Sequence, residues 1–267
     1  MDFSILTFDL FLFIALGFFA QLIDGALGMA YGLIVTTTLL SLGSAPALAS
    51  ASVHAAEVVT TGLAGASHVW HKNIDWALFR RLAPAGVAGG IVGAYILVGL
   101  PENWLKVFVT LYLIVMTAMI THRILTSKQA QKGTKAEREQ RAPTAIVGGV
   151  GGFLDAVGGG GWGPIVTSTL LARGDHPRRT IGSASLAEFF LTAAISVTFL
   201  LNLNLWDYLQ PVLGLVIGGA FAAPLAGYLS RALPPRILMI AVAAVIGALS
   251  VVNVGRLVWA AVKALQA

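Results

Sequence analysis

Two stretches, DGALGMAYG (Asp24–Gly32) and DAVGGGGWGP (Asp155–Pro164), each interrupt a long apolar segment with glycines. The two segments extend over residues 10–43 and 143–172, and both are longer than the roughly 20 residues that one helix needs to cross a bilayer. Glycine readily adopts left-handed backbone conformations, and proline is well tolerated in the first turn of a helix. We therefore expect each segment to be a broken helix, with a second helix beginning after the turn.

The composition identifies the chain as a membrane protein. Of its 267 residues, 57% are hydrophobic and 11% are charged, whereas soluble domains carry roughly 25% charged residues. The remaining apolar stretches cover residues 46–70, 77–99, 103–122, 179–201, 208–230 and 235–262. These lengths predict an all-α polytopic protein surrounded by the lipid bilayer. The absence of cysteine excludes disulfides and thiolate chemistry.

The placement of the basic residues and the character of the N-terminus are both typical of a membrane protein. Lys and Arg cluster in loops beside apolar segments rather than on one face, so no nucleic-acid partner is expected. Asp2 and Asp9 stand where a signal peptide carries basic residues. We interpret the N-terminus as the first membrane segment and not as a cleaved signal.

The chain is an internal duplication. A shift of 131 residues places Asp24 on Asp155 and Gly28 on Gly159. The same offset relates Gly32 to Gly163, Thr36 to Thr167, Ser52 to Ser183, Glu57 to Glu188 and Thr61 to Thr192. A polar segment, TSKQAQKGTKAEREQR, separates the two copies. We divide the chain into repeat 1 (residues 1–125), a linker (126–142) and repeat 2 (143–267).

The placement of basic residues predicts that the repeats are inverted. If every apolar stretch crosses once, 11 of the 17 basic residues lie inside. If each broken segment returns to the same side and is followed by three spans, the inner loops hold 14 of the 17. Cytoplasmic loops are enriched in Lys and Arg, so we expect both termini outside and the linker in the cytoplasm. In the alternative, the glycines serve only close helix packing.

Inverted repeats with broken helices are typical of transporters, which bind substrate near the bilayer midplane. The helices that begin near Gly32 and Gly163 would direct two positive dipole ends and their N–H groups at one anion. The candidate substrate-binding residues are Gly28, Tyr31, Gly32, Thr36, Thr37, Ser52, His54, Gly159, Gly160, Gly161, Trp162, Gly163, Thr167, Ser168 and Ser183. For each hydroxyl, the alternative is a bond to a carbonyl of its own helix.

Four carboxylates lie within apolar stretches, in two pairs at the repeat offset: Asp24, Glu57, Asp155 and Glu188. An acidic side chain within the membrane is a functional candidate by default. We expect the glutamates to carry protons coupled to anion movement. In the structural alternative, which is strongest for the aspartates, the carboxylates accept backbone N–H groups freed by the helix breaks.

His54 precedes Glu57 by three residues on the same helical face. It would bind substrate, relay a proton or be satisfied locally. Ser185 stands at the equivalent position of repeat 2, so no histidine–carboxylate cluster is repeated. We therefore predict neither a metal site nor a cofactor.

The turn GGGGWGP (Gly158–Pro164) and the following GSASL (Gly182–Leu186) resemble the TauE/SafE sulfite exporter family. The resemblance implies a bacterial plasma-membrane protein that exports sulfur-containing anions such as sulfite, thiosulfate or sulfoacetate. Repeat 1 departs from this pattern, since Leu33 stands where Pro164 would match. This departure indicates that one turn contacts the substrate more than the other.

We therefore expect a secondary transporter, because no GxxxxGKS nucleotide-binding loop is present. The alternative is a permease of the same architecture for another small anion or a cation. An intramembrane enzyme is disfavoured, because a GxSxG elbow from Gly182 would need serine at Ala184 and glycine at Leu186. The oligomeric state, monomer or homodimer, stays open.

Overall fold

The computed structural model describes residues 3–126, 143–173, 177–232 and 234–266, and the regular elements in these ranges are all helices. The first half contains α1 (Phe3–Leu27), α2 (Tyr31–Leu42), α3 (Pro46–Trp70), α4 (Trp76–Gly99) and α5 (Glu102–Thr126). The second half contains α6 (Thr144–Gly158), α7, α8 (Pro177–Asn202), α9 (Leu209–Ala232) and α10 (Pro235–Gln266). Helix α7 consists of a π-helical turn, Trp162–Thr167, continued by Ser168–Ala172. A 3₁₀ turn, Leu205–Asp207, precedes α9.

The all-α polytopic architecture predicted from composition is confirmed. Within the described ranges, five helical segments are long and apolar enough to cross a membrane: Asp9–Leu27, Trp76–Gly99, Glu102–Leu125, Pro177–Asn202 and Arg236–Trp259. Helix α2 has 12 residues, about 18 Å at 1.5 Å per residue, or roughly half of a bilayer core. The inverted orientation of the repeats stays a prediction, and most of the predicted linker lies outside the described residues.

Both helix breaks occur within the glycine-containing stretches. Helix α1 ends at Leu27 and α2 begins at Tyr31, while α6 ends at Gly158 and α7 begins at Trp162. In the second break, Gly159 and Gly160 have φ angles of 65° and 150°, which side chains with a Cβ rarely adopt. These glycines therefore terminate α6, and the chain turns before α7.

Other glycines serve close helix packing, the alternative considered for the breaks. A Cβ at Gly152 would collide with the backbone of Gly86, and one at Gly89 would collide with Gly149. These contacts join α4 to α6 at backbone distance. Small residues allow such close approach of membrane helices, so both explanations hold, each for a different set of glycines.

The two halves pack against each other through equivalent helices. Helix α1 packs on α9, and α4 packs on α6. Exchanging the two halves converts one pair into the other, because α6 and α9 are the counterparts of α1 and α4. The counterparts α3 and α8 also pack together, as do α5 and α10. This arrangement buries α2 and the beginning of α7 between the halves, where Leu33 and Trp162 are fully buried.

Candidate functional site

The two glycine turns meet in the interior through reciprocal contacts. A Cβ at Gly32 would lie 2.6 Å from the Gly160 Cα, and a Cβ at Gly163 would lie 2.7 Å from the Met29 Cβ. Gly32 and Gly163 are repeat equivalents, as are Met29 and Gly160. The residues predicted to lie at the midplane of a transporter are thus brought together from both halves.

The aspartates of the two turns accept backbone N–H groups at the helix breaks. Asp155 Oδ1 accepts from the Gly161 and Trp162 nitrogens at 2.5 and 2.9 Å. Asp24 Oδ1 accepts from the Tyr31 nitrogen at 3.1 Å. Since Tyr31 and Trp162 are repeat equivalents, both carboxylates cap the helix that follows their turn. They occupy N–H groups that the sequence analysis assigned to a bound anion.

A small cavity lies where the turns meet. Its lining includes the four intramembrane carboxylates together with Met29, Ala30, Tyr31, Gly32, Leu33, Gly160, Gly161, Trp162, Gly163 and Pro164. Its volume of about 20 Å³ admits one water molecule. Among the described residues, no lysine or arginine lines this cavity, and its charged lining groups are acidic.

Two polar groups that border this cavity have no hydrogen-bond partner among the described residues. They are the Tyr31 hydroxyl and Glu57 Oε2. Tyr31 is 2% exposed and Glu57 is 6% exposed. Leaving buried polar atoms unpaired costs roughly 1–3 kcal/mol each, and more for a charged group. Both groups are therefore available to a ligand.

His54 joins this site from α3, although it is not part of the cavity lining. It is fully buried, and its Nδ1 donates to the Ser50 carbonyl at 2.8 Å. Its Nε2 lies 3.1 Å from Asp155 Oδ2 in the other half of the chain. The ligand atoms of His54, Glu57 and Asp155 all lie within 4.8 Å of one another. No such cluster is visible at aligned repeat positions, because its members occupy non-equivalent positions of the two repeats.

Most of the predicted hydroxyl ligands bond within the protein and do not line the cavity. Thr36 donates to the Gly159 carbonyl at 2.7 Å, across the two halves. Thr37 and Ser52 donate to carbonyls four residues earlier in their own helices. Ser183 accepts from the Asp75 nitrogen at 2.8 Å. Four more of the predicted residues also lie outside the cavity lining: Gly28, Gly159, Thr167 and Ser168. The polar part of the cavity wall therefore consists of backbone, aromatic and carboxylate groups.

Two residues of α5 that the sequence analysis did not select contact the turns. Tyr112 is buried and donates from its hydroxyl to the Gly160 carbonyl at 2.8 Å. The half-buried Arg123 bonds the Ser168 hydroxyl and lies 3.7 Å from the Met29 sulfur. In the sequence, Arg123 is one of the basic residues assigned to the predicted inner loops. A tyrosine within an apolar span is typical of an ordinary hydrophobic core. Tyr112 was the more detectable of the two, as a polar group within a predicted membrane span.

Comparisons with known proteins agree with this architecture. The family model described as "Sulfite exporter TauE/SafE" matches residues 13–253. A curated relative from Bacillus subtilis (strain 168), named "Probable membrane transporter protein YtnM", is 38% identical over 235 residues. The match covers 86% of this chain and 77% of the relative. No solved structure matches the chain.

Proposed function

This chain belongs to the sulfite exporter TauE/SafE family of multi-pass membrane transporters, and on that premise we propose that it exports small sulfur-containing anions such as sulfite and sulfoacetate. The central cavity between the two glycine turns is the proposed binding site. The observation that carries the proposal is the pair of unpartnered groups at this cavity, the Tyr31 hydroxyl and Glu57 Oε2. Family and relative point to a transporter and not to an enzyme.

The charge of the cavity decides how an anion would bind. Four carboxylates repel an anion in a low-dielectric site unless they are neutralised. Glu57 and Glu188 are the proposed proton carriers, since Asp24 and Asp155 cap helices. A protonated Glu57 would present a hydroxyl donor to the anion, and the Tyr31 hydroxyl would present a second. Proton binding is thereby coupled to anion binding.

The size of the cavity supports a mechanism of alternating access. About 20 Å³ holds a single water molecule, so a sulfite ion needs the turns to separate. The proposed movement is of one half of the chain against the other, which would open the cavity to each side in turn. Arg123, which contacts Ser168 and Met29, is the proposed cytoplasmic entry residue. The proposed location is the bacterial plasma membrane, with both termini outside.

The proposal is tested by anion flux in proteoliposomes that contain the purified chain. Sulfite, sulfoacetate and chloride are loaded separately, with a proton gradient imposed in either direction. We expect flux of at least one sulfur anion, faster than that of chloride and accelerated by the proton gradient. Equal flux of all three anions, or flux of none above protein-free vesicles, contradicts the proposal.

A cation permease is the second candidate function. The observation that favours it is the acidic cavity, which lacks a lysine or arginine in its lining. Flux of radioactive Na⁺ and Mn²⁺ in the same proteoliposomes tests this candidate. A cation flux that is blocked in Glu57→Gln, together with the absence of anion flux, would show that the chain transports cations and not anions.

A further inference from the structure

We propose that His54 Nε2, Glu57 Oε2 and Asp155 Oδ2 bind one divalent transition-metal ion, of the Zn²⁺ or Mn²⁺ class, between the two halves of the chain. One ligand atom of each residue lies within 4.8 Å of those of the other two, and all three residues are buried. The site lies beside the proposed transport cavity, but it is inferred from coordination chemistry and not from the proposed transport. Only its consequence for anion binding rests on the proposed function.

The hydrogen bond of His54 Nδ1 directs the second ring nitrogen, Nε2, at Asp155. The Ser50 carbonyl can only accept, so the contact of 2.8 Å places the proton of the neutral ring on Nδ1. Nε2 then carries a lone pair and faces Asp155 Oδ2, another acceptor, at 3.1 Å. Two acceptors at this distance need a proton or a metal ion between them. A metal-ligating histidine commonly donates its other N–H to a backbone carbonyl, as His54 does.

The separation of these two atoms suits a shared metal ion. Histidine nitrogen and carboxylate oxygen bind Zn²⁺ at about 2.0–2.2 Å. Two ligands about 2.1 Å from one tetrahedral ion are about 3.4 Å apart. The observed distance from His54 Nε2 to Asp155 Oδ2 is 3.1 Å.

Glu57 supplies the independent observation that points to a ligand. Its side chain is 6% exposed, and Oε2 has no hydrogen-bond partner among the described residues. Glu57 and Asp155 both border the cavity of about 20 Å³. This volume fits one water-sized particle, which is also the size of a single metal ion. Two carboxylates and a neutral imidazole would balance the charge of a divalent cation.

The donor set selects the class of cation. Imidazole nitrogen suits Zn²⁺ and other transition metals, whereas Ca²⁺ and Mg²⁺ prefer oxygen ligands alone. One histidine with two carboxylates therefore favours Zn²⁺ or Mn²⁺ over Ca²⁺. Three protein ligands leave a coordination position open. If the chain transports anions as proposed, a sulfite oxygen would take this position in the metal-bound form, in which Glu57 is a deprotonated ligand and Glu188 remains as the proton carrier.

Metal binding is tested on the full chain in detergent micelles. The metal content of purified protein is measured by mass spectrometry, and EDTA-washed protein is then titrated with ZnCl₂, MnCl₂ or CaCl₂ while the thermal transition is followed. We expect about one Zn²⁺ or Mn²⁺ per chain, and a rise of the transition temperature that CaCl₂ does not produce. His54→Gln and Glu57→Gln should weaken metal binding by at least about 10–100-fold, the effect of losing only a supporting residue at other metal sites.

His71→Gln and Glu102→Gln are the matched controls, because both side chains are exposed and lie outside the cluster. They should bind metal like the wild type. Glu57→Gln keeps the test valid if His54→Gln fails to fold, since Glu57 Oε2 has no partner to lose. No Zn²⁺ or Mn²⁺ binding by the wild type, or equal binding by Glu57→Gln, overturns the inference. Metal binding without any anion flux supports this site and contradicts the proposed anion transport.

Discussion

Thr61 Oγ1 lies 3.4 Å from Thr192 Oγ1, and these two residues are repeat equivalents. Thr61 lies on α3 and Thr192 on α8, so these counterpart helices contact each other through counterpart residues. Glu57 and Glu188 lie one helical turn before these threonines, on the same two helices. The two glutamates therefore lie on counterpart helices of the two halves, and both line the cavity between the glycine turns.

The bond between Thr36 and the Gly159 carbonyl, 2.7 Å long, holds the two turns together. Thr36→Val should lower the free energy of unfolding by about 1–3 kcal/mol, because a buried carbonyl loses its donor. Thr37→Val is the matched control, since the Thr37 hydroxyl bonds within its own helix. Thermal unfolding in detergent measures both, and an equal loss in the two variants would contradict a special role of the bond between halves.

Ala30 has a φ angle of 106°, a conformation that strains a residue with a Cβ by about 1–3 kcal/mol. Ala30→Gly should therefore raise the transition temperature, although glycine also gains entropy in the unfolded chain. Ala56→Gly, at a buried position inside α3, should lower it, because glycine is unfavourable within a helix. A lower transition temperature for Ala30→Gly would show that this turn is not strained.

The proposed proton coupling predicts a pH dependence of anion flux. Neutral carboxyl groups admit an anion, so flux by the wild type should rise as the pH falls. Glu57→Gln and Glu188→Gln remove the titrating groups at nearly constant shape, and each should flatten this dependence. Glu102→Gln is the control, since Glu102 is an exposed partner of Lys106 far from the cavity lining. Unchanged pH profiles in both cavity variants would exclude the two glutamates as proton carriers.

Arg123 contacts Met29 in the first turn and Ser168 in α7. Arg123→Gln should raise the KM for the anion about fivefold, equivalent to about 1 kcal/mol for a half-exposed charge. Arg81→Gln removes the same charge from an exposed position of α4 and should leave the KM unchanged. Initial rates in proteoliposomes at a series of anion concentrations measure both. Equal effects in the two variants would indicate general surface attraction of the anion.

The sequence predicted the elements of this site better than their contacts. The breaks at Gly28–Ala30 and Gly159–Gly161 were predictable because glycines interrupt an apolar run locally. The correspondence of Asp24 to Asp155, and of Glu57 to Glu188, follows from the 131-residue offset between the repeats alone. The hydroxyl groups were harder to assign, because Thr36 and Thr37 are adjacent and chemically alike. Only Thr36 faces the other half of the chain.

The amino-acid sequence by itself determined the membrane class, the helix breaks and the duplication, because hydropathy, glycine placement and an internal offset are properties of the chain. Tertiary structure alone decided that Asp155 meets His54, 101 residues away, and that Arg123 reaches the turns. These outcomes depend on how helices from the two halves pack, since a contact between distant residues exists only when both backbones are placed.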